Sequence, residues 1–238
     1  DGKDGYVSMN QIIQKINLGH LTEIHFKILE LINKFEFLTS RQLFQLLQIE
    51  KADMPSQDKL NNKLEQLIKC KILTRYYFLA QEGSGIYRVY CMEKMGKYLL
   101  NSREIECKWQ PTDNAKPVEM IKKKLSGNQI VIAYLRKSKS VSSYILKPVI
   151  TDKVTGKTFK PMANVKFEIG GKYVDFVYEI IRRNENWKQE LADRMRQWKD
   201  FYDNFAPGDS GYGSIPQLIF VCEDDIHMAE VFKELVIN

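Results

Sequence analysis

The order of periodic segments in the first hundred residues most constrains the fold. Three successive segments, beginning near Leu21, Ser40 and Ser56, carry apolar side chains at helical spacing. Two further segments, residues 73–79 and 86–92, are rich in aromatic and aliphatic residues and flank a glycine-containing turn. The first half of the chain is therefore expected to fold as three helices followed by a β-hairpin.

The boundaries of these elements have recognisable signals. Thr22 and Ser40 are expected to cap the first and second helices. The third helix buries a leucine stripe over residues 60–67 and keeps a polar outer face. The stretch Gln81–Gly85 predicts the hairpin turn, and a helix over Glu93–Asn101 closes the unit. This order is that of a winged helix-turn-helix domain, in which the third helix enters the DNA major groove.

The outer side chains of the third helix suit DNA contact, because Asn and Gln pair with adenine while Lys meets guanine or phosphate. Further phosphate contacts are expected from the hairpin and from a lysine-rich segment. The predicted DNA-binding residues are Gln57, Lys59, Asn61, Asn62, Lys63 and Gln66 on the helix, Arg75 and Arg88 on the hairpin, and Lys122, Lys123, Lys124, Arg136, Lys137 and Lys139 further along. A plain solvated surface is the alternative role for these residues.

The charge of the chain is unevenly distributed. The net charge is +6, yet residues 116–172 hold 13 Lys/Arg against 3 Asp/Glu, whereas residues 173–238 hold 7 against 13. The basic segment can neutralise phosphates and release counterions. Residues 1–115 hold 16 Lys/Arg against 14 Asp/Glu. Charge in the first half therefore does not by itself require nucleic acid, and a protein-binding winged helix is an alternative.

The second half alternates extended and helical segments. A stretch containing Pro and Asn, residues 106–117, predicts a linker between a domain over residues 1–105 and another over residues 118–238. Gly170-Gly171 predicts a tight turn between two strands. The apolar run Pro216–Cys222 is typical of a buried central strand. The second domain is expected to be α/β with a mixed sheet, and the whole chain α+β.

Six segments of the chain carry a resemblance to a known family. They are LTEIHFKILELINKFEFLTSRQLFQLL, LNNKLEQLIKCKIL and YRVYCMEKMGKYLL in the first half, and KPMANVKFEIGGKYVDFVYEIIR, LADRMRQWKDFY and PQLIFVC in the second. In these segments the chain resembles the replication-relaxation family of plasmid, phage and integrative-element proteins. The resemblance covers about Leu21 to Leu235 and implies a winged helix joined to a degenerate PD-(D/E)xK nuclease-like domain. It further implies a DNA-binding protein of a mobile element, acting in plasmid replication, transfer or transcriptional control.

The acidic motif that this resemblance implies is incomplete. A PD-(D/E)xK site holds Mg²⁺ with an Asp on one strand and with an acid, followed by Lys, on the next. Met162 stands where the resemblance places the Asp, and Ile181 stands where it places the Lys. Asp175 and Glu179 lie about 13 Å apart along one strand, and Asp175 is expected to be solvent-exposed. We therefore expect no catalytic residue, metal or cofactor.

Two alternative functions stay open. A metal-dependent nuclease or nickase would use the same two acids with Mg²⁺ and a basic residue, Lys166 or Arg182. A protein-interaction adaptor in a replication or conjugation complex, or a homodimer, would use the helix that carries Trp187 and Trp198. Packing in the core is the simpler role for these two tryptophans.

The composition also indicates a compartment. No apolar run approaches the roughly 18 residues of a membrane span, and the opening residues carry no apolar signal segment. Four cysteines are scattered without the spacing of a zinc site or a disulfide framework. A cytoplasmic protein that does not bind membranes is therefore expected.

Overall fold

The computed structural model describes residues 7–79 and 85–237 and shows two compact units that divide between Asn128 and Gln129. Both helices and strands are present and one sheet is mixed, so the expected α+β class is confirmed. The predicted turn Gln81–Gly85 lies, apart from its last residue, outside the described residues. Across the described ranges, no helix combines the length and the apolar character needed to cross a membrane.

Unit 1 combines helices with a small antiparallel sheet of strand order β1-β3-β2. Its elements are α1 (Met9–Asn17), α2 (Glu23–Phe35), β1 (Leu38–Thr39), α3 (Ser40–Ile49), α4 (Gln57–Lys69), β2 (Leu73–Leu79), β3 (Ile86–Met92) and α5 (Lys94–Asn101). The three helices α2 to α4, the hairpin strands and α5 lie where the sequence predicts them. Helix α1 was not predicted, although Met9, Ile12, Ile13 and Ile16 stand at helical spacing in the sequence.

Side-chain caps fix where the helices of unit 1 begin. Ser56 Oγ accepts a hydrogen bond from the Lys59 backbone N–H at 3.3 Å, as expected of an N-cap. The expectation that Ser40 caps α3 is wrong, because Thr39 caps it. Thr39 Oγ1 accepts from the Gln42 N–H and Gln42 Oε1 accepts from the Thr39 N–H, both at 3.1 Å. This reciprocal pair requires a cap three residues before the glutamine, a position that Thr39 holds.

A single helix, α6 (Val118–Lys137), spans the residues that follow position 117. Its first half completes the core of unit 1, where Ile121 and Leu125 pack with Phe37. Asn128 Nδ2 donates to the backbone carbonyls of Phe35 and Phe37 at 3.1 and 2.8 Å. These bonds hold α6 against the chain just after α2, where the Phe35 carbonyl also accepts from the Phe37 backbone N–H at 2.8 Å.

The stretch predicted as a linker, residues 106–117, contacts the hairpin of unit 1. It contains a short 3₁₀ helix, Pro111–Ala115. The Asn114 backbone carbonyl accepts from the Tyr76 hydroxyl at 2.7 Å, and Asn114 Nδ2 donates to Glu93 Oε1 at 2.9 Å. The compact units accordingly divide further along the chain, inside α6.

Unit 2 contains a four-stranded mixed sheet and two helices. Its elements are β4 (Val141–Leu146), β5 (Ile150–Thr151), β6 (Thr158–Phe159), β7 (Ala163–Ile169), β8 (Lys172–Ile180), α7 (Trp187–Asp203), β9 (Gln217–Val221) and α8 (Asp225–Ile237). The sheet order is β4-β7-β8-β9, in which β8 and β9 are parallel and the other pairs antiparallel. Gly170 and Gly171 both have positive φ at the β7–β8 turn, which confirms the predicted tight turn.

The apolar run Pro216–Cys222 does not form a buried central strand, so that expectation is wrong. Among the described strands, β9 pairs with β8 alone and lies at the edge of the sheet, and its residues are mostly half-buried. Phe220 and Cys222 pack against the cluster formed by Trp187 and Val231 of the two helices. Because helices pack on this edge strand, it needs apolar residues just as a central strand does. The apolar run therefore does not distinguish an edge strand from a central one.

The two tryptophans of α7 pack inside unit 2. Trp198 is fully buried and belongs to a cluster with Phe159 and Val177. Trp187 is buried beside Leu191. The core-packing interpretation is confirmed, and neither ring is exposed for a partner.

Gly96 marks a close approach of α5 to the preceding backbone. A Cβ at this position would lie 2.3 Å from Met92 Sδ and 2.6 Å from the Ile72 carbonyl oxygen. We expect Gly96→Ala to lower the free energy of unfolding by about 1–3 kcal/mol, because the backbone oxygen has to move. Urea unfolding followed by circular dichroism measures the loss. Gly213→Ala is the matched control, since a Cβ there meets nothing within 4 Å; equal losses in both variants would contradict the packing argument.

Candidate nucleic-acid interface

Helix α4 presents a polar face because its leucines bury the opposite one. Leu60, Leu64 and Leu67 are fully buried in unit 1. The six predicted DNA-binding residues of the helix divide into three exposed ones, Lys59, Asn62 and Gln66, and three half-buried ones, Gln57, Asn61 and Lys63. Helical spacing therefore places Asn62 and Lys59 on the outer face, with the half-buried residues along its flanks.

Two of the predicted glutamines are less available than the sequence suggests. Gln66 Oε1 is hydrogen-bonded to His25 Nε2 at 2.9 Å. Gln57 Nε2 is buried and has no hydrogen-bond partner among the described residues. The face open to a partner thus centres on Lys59 and Asn62.

His25 joins α2 to α4 in its neutral form. Its Nδ1 accepts from the Thr22 backbone N–H at 3.0 Å, while its Nε2 donates to Gln66 Oε1. Both bonds require the tautomer that carries the proton on Nε2. Burial lowers the pKa of His25 from 6.5, and the positive charge of Lys63 acts in the same direction, whereas the bond to Gln66 opposes it.

The two hairpin arginines predicted to contact phosphate converge on one carboxylate. Glu65 of α4 forms an ion pair with Arg75, and its Oε1 lies 3.7 Å from Arg88 Nη1. The Arg75 guanidinium also lies over the Tyr77 ring, 5.0 Å from its centre. Glu65 was missed at the sequence level, although its place on the polar side of the third helix could have drawn attention to it.

The hairpin face beside α4 carries large exposed side chains that the sequence did not single out. Tyr77 and Leu79 on β2 lie opposite Arg88 and Ile86 on β3, and all four are exposed. The strand period of two places Tyr77 on the same face as Arg75, which is a signal that the sequence contains. Aromatic and aliphatic side chains at such a position can contact bases and sugars.

The predicted basic residues of the lysine-rich segment are divided between the two units. Lys124 is buried and paired with Glu36, so the prediction that it contacts DNA is wrong. Lys122 donates to Glu119 at 3.1 Å, and Lys123 is half-buried. The remaining three predicted residues are exposed and belong to unit 2: Arg136, Lys137 and Lys139.

The two acids of the nuclease alternative are buried, which corrects the expectation that Asp175 is exposed. Asp175 Oδ1 accepts from Asn164 Nδ2 at 2.8 Å, and its Oδ2 lies 3.7 Å from Lys166 Nζ. Glu179 Oε1 accepts from Trp198 Nε1 at 2.9 Å. The exposure was misjudged because this face of β8 is covered by residues from further along the chain: Val177, between the two acids, packs with Trp198 and Tyr212.

Each of these carboxylates has a different cation. Glu179 Oε1 lies 3.0 Å from Arg194 Nε, a residue that the sequence did not single out. Arg182, the other basic candidate, lies 3.1 Å from Glu223. Met162 precedes β7 and is half-buried, while Ile181 is buried beside α7 and α8. The nuclease motif is therefore not assembled around these positions.

The buried acids do not fit a shared Mg²⁺ ion. Each is already compensated by a side-chain donor and a cation, whereas a Mg²⁺ site needs carboxylate oxygens that face the ion together. Within residues 7–79 and 85–237, no group of three or more His, Cys, Asp or Glu is arranged to hold a metal ion. We therefore derive no metal-dependent step for unit 2.

Comparison of the chain with protein families, curated proteins and solved structures gives no match.

The buried histidine predicts a stability that depends on pH. Since the folded-state pKa of His25 lies below 6.5, the unfolded chain binds the proton more readily. The stability of unit 1 should therefore be full above about pH 6.5 and fall as the pH drops through that value towards the lowered pKa. Urea unfolding at about pH 7.5 and about pH 5.5 measures the loss. His25→Gln should remove this part of the dependence, whereas His20→Gln, at an exposed site, should keep it. An unchanged dependence in His25→Gln would contradict the assignment.

Proposed function

We propose that unit 1 is a winged helix-turn-helix domain that binds double-stranded DNA, with α4 in the major groove and the β2–β3 hairpin against the backbone. Three consecutive helices, α2, α3 and α4, lead into the hairpin, and β1 joins its β3 edge. This order supports the proposal. The observation that carries it is the outer face of α4, where the side chains of Lys59 and Asn62 are exposed and form neither a hydrogen bond nor an ion pair within the described ranges.

The contacts follow from the chemistry of these side chains. The amide of Asn62 can donate to and accept from one adenine edge, which selects that base. The Lys59 ammonium meets phosphate or guanine. Asp58 and Glu65 lie on the same helix, so the net charge of α4 is small. Base contacts, more than charge, therefore determine where the helix binds.

Unit 2 is proposed to be a degenerate PD-(D/E)xK nuclease-like scaffold that does not cut. The order α6, β4, β7, β8, α7, β9, with the last strand parallel to β8, supports the scaffold. The separate pairing of Asp175 and Glu179 supports the absence of cutting. Together with the resemblance described above, this supports the proposal that the chain is a DNA-binding protein of a mobile element that acts in replication, transfer or transcriptional control.

DNA binding can be tested with duplexes selected from a random pool. We expect Asn62→Ala to weaken binding to the selected duplex by about 1–3 kcal/mol and to relax the preference at one base pair. Lys59→Ala should weaken all duplexes alike and reduce the slope of log affinity against log salt by about 0.9. Fluorescence anisotropy measures both effects.

Asn17→Ala is the matched control for the binding test, because Asn17 is an exposed asparagine on α1 of the same unit. It should bind the selected duplex like the unaltered protein. If the α4 variants also retain full affinity and preference, α4 is not the reading helix and the proposal fails.

The absence of cutting can be tested separately. With Mg²⁺ or Mn²⁺ the purified protein is expected to leave supercoiled plasmid intact, because neither buried acid is open to a metal ion. Asp175→Asn and Glu179→Gln are the comparison variants in a nicking assay. Cleavage by the unaltered protein that disappears in either variant would establish the nuclease alternative.

A further inference from the structure

Helix α8 is apolar on its outward side as well as on the side that faces the sheet. His227 and Val231 are buried on the inner side. On the outer side Ile226, Phe232 and Val236 are 65–69% exposed. An exposed apolar patch of this kind marks a contact surface.

The side chains on the outward side of α8 are arranged symmetrically about the middle of the helix. Ala229 lies at its centre, and Ile226 and Phe232 lie three residues to either side. Asp225 and Lys233 lie four residues to either side. Residues at spacings of three and four share one helix face, so these five side chains form a single surface.

The two charged residues of this surface have no ion-pair partner among the described residues of the chain. Neither Asp225 nor Lys233 forms an ion pair within residues 7–79 and 85–237, whereas the nearby Glu230 lies 3.4 Å from Arg183. One charge is negative and the other positive, at opposite ends of the apolar surface. The surface is therefore complementary to a second copy in antiparallel orientation, while a parallel copy would bring like charges together.

We propose that the chain forms a homodimer in which the outward faces of two α8 helices pack antiparallel about a two-fold axis at Ala229. This contact places Ile226 opposite Phe232 of the second copy and Asp225 opposite Lys233 of the second copy. The small Ala229 side chain permits close approach of the two helices. Such a contact is isologous, with an apolar centre and a charged rim.

The dimer is independent of the proposed DNA binding and is tested without DNA. Sedimentation velocity of the full chain over a range of concentrations should show a monomer–dimer equilibrium. Asp225→Lys and Lys233→Asp each replace two attractive pairs by two repulsive ones, so each should raise the dimer Kd at least about tenfold. The double variant restores opposite charges and should return the Kd close to that of the unaltered chain.

A substitution in the apolar centre of the proposed contact provides a second test of the dimer. Phe232→Glu should raise the dimer Kd about a hundredfold or more, because it places two carboxylates in the contact. Val154→Glu is the matched control, since Val154 is 70% exposed elsewhere in unit 2 and should leave the Kd unchanged. Thermal unfolding by circular dichroism verifies that each variant is folded. A monomer at every concentration, or a double variant no better than the single ones, would overturn the proposal.

Discussion

The burial of the leucine stripe of α4 is the constraint on which the proposed DNA contact depends. Leu60, Leu64 and Leu67 are fully buried, and each contributes about 2 kcal/mol through apolar surface removed from water. A turn of the helix about its axis would expose these leucines, so the polar face is fixed towards solvent. The bond from His25 to Gln66 ties the same helix to α2 from the side.

Local patterns in the sequence were sufficient for elements but not for their partners. The hairpin strands Leu73–Leu79 and Ile86–Met92 have the bounds that alternation and turn residues indicated, because strand period and turn chemistry are local properties. Gln66 and His25 are 41 residues apart, and Lys124 and Glu36 are 88 apart. No periodicity specifies such pairs, which is why Lys124 was assigned to a surface that it does not reach.

In unit 2, too, the strands could be predicted from the sequence, whereas the partners of their side chains could not. The strand that carries Asp175 and Glu179 was recognisable from its β-branched and aromatic residues. Their environment was not, since Asn164 comes from the neighbouring strand and Arg194 from α7. The position of β9 at the edge was equally hidden, because hydropathy reports that a strand is covered but not which strands it pairs with. Buried carboxylates held by such pairs stabilise the sheet only while both partners are present.

Glu65 has a consequence for how the hairpin face meets any polyanion. It places a carboxylate between two arginines, at the point where their positive charges would otherwise add. The positive electrostatic potential that this face presents to heparin or to an arbitrary stretch of nucleic acid is therefore reduced. Tight binding of a polyanion to this face therefore needs complementary shape and hydrogen bonding in addition to charge. The Glu65 carboxylate thus weakens non-specific binding and leaves discrimination between targets to these other contacts.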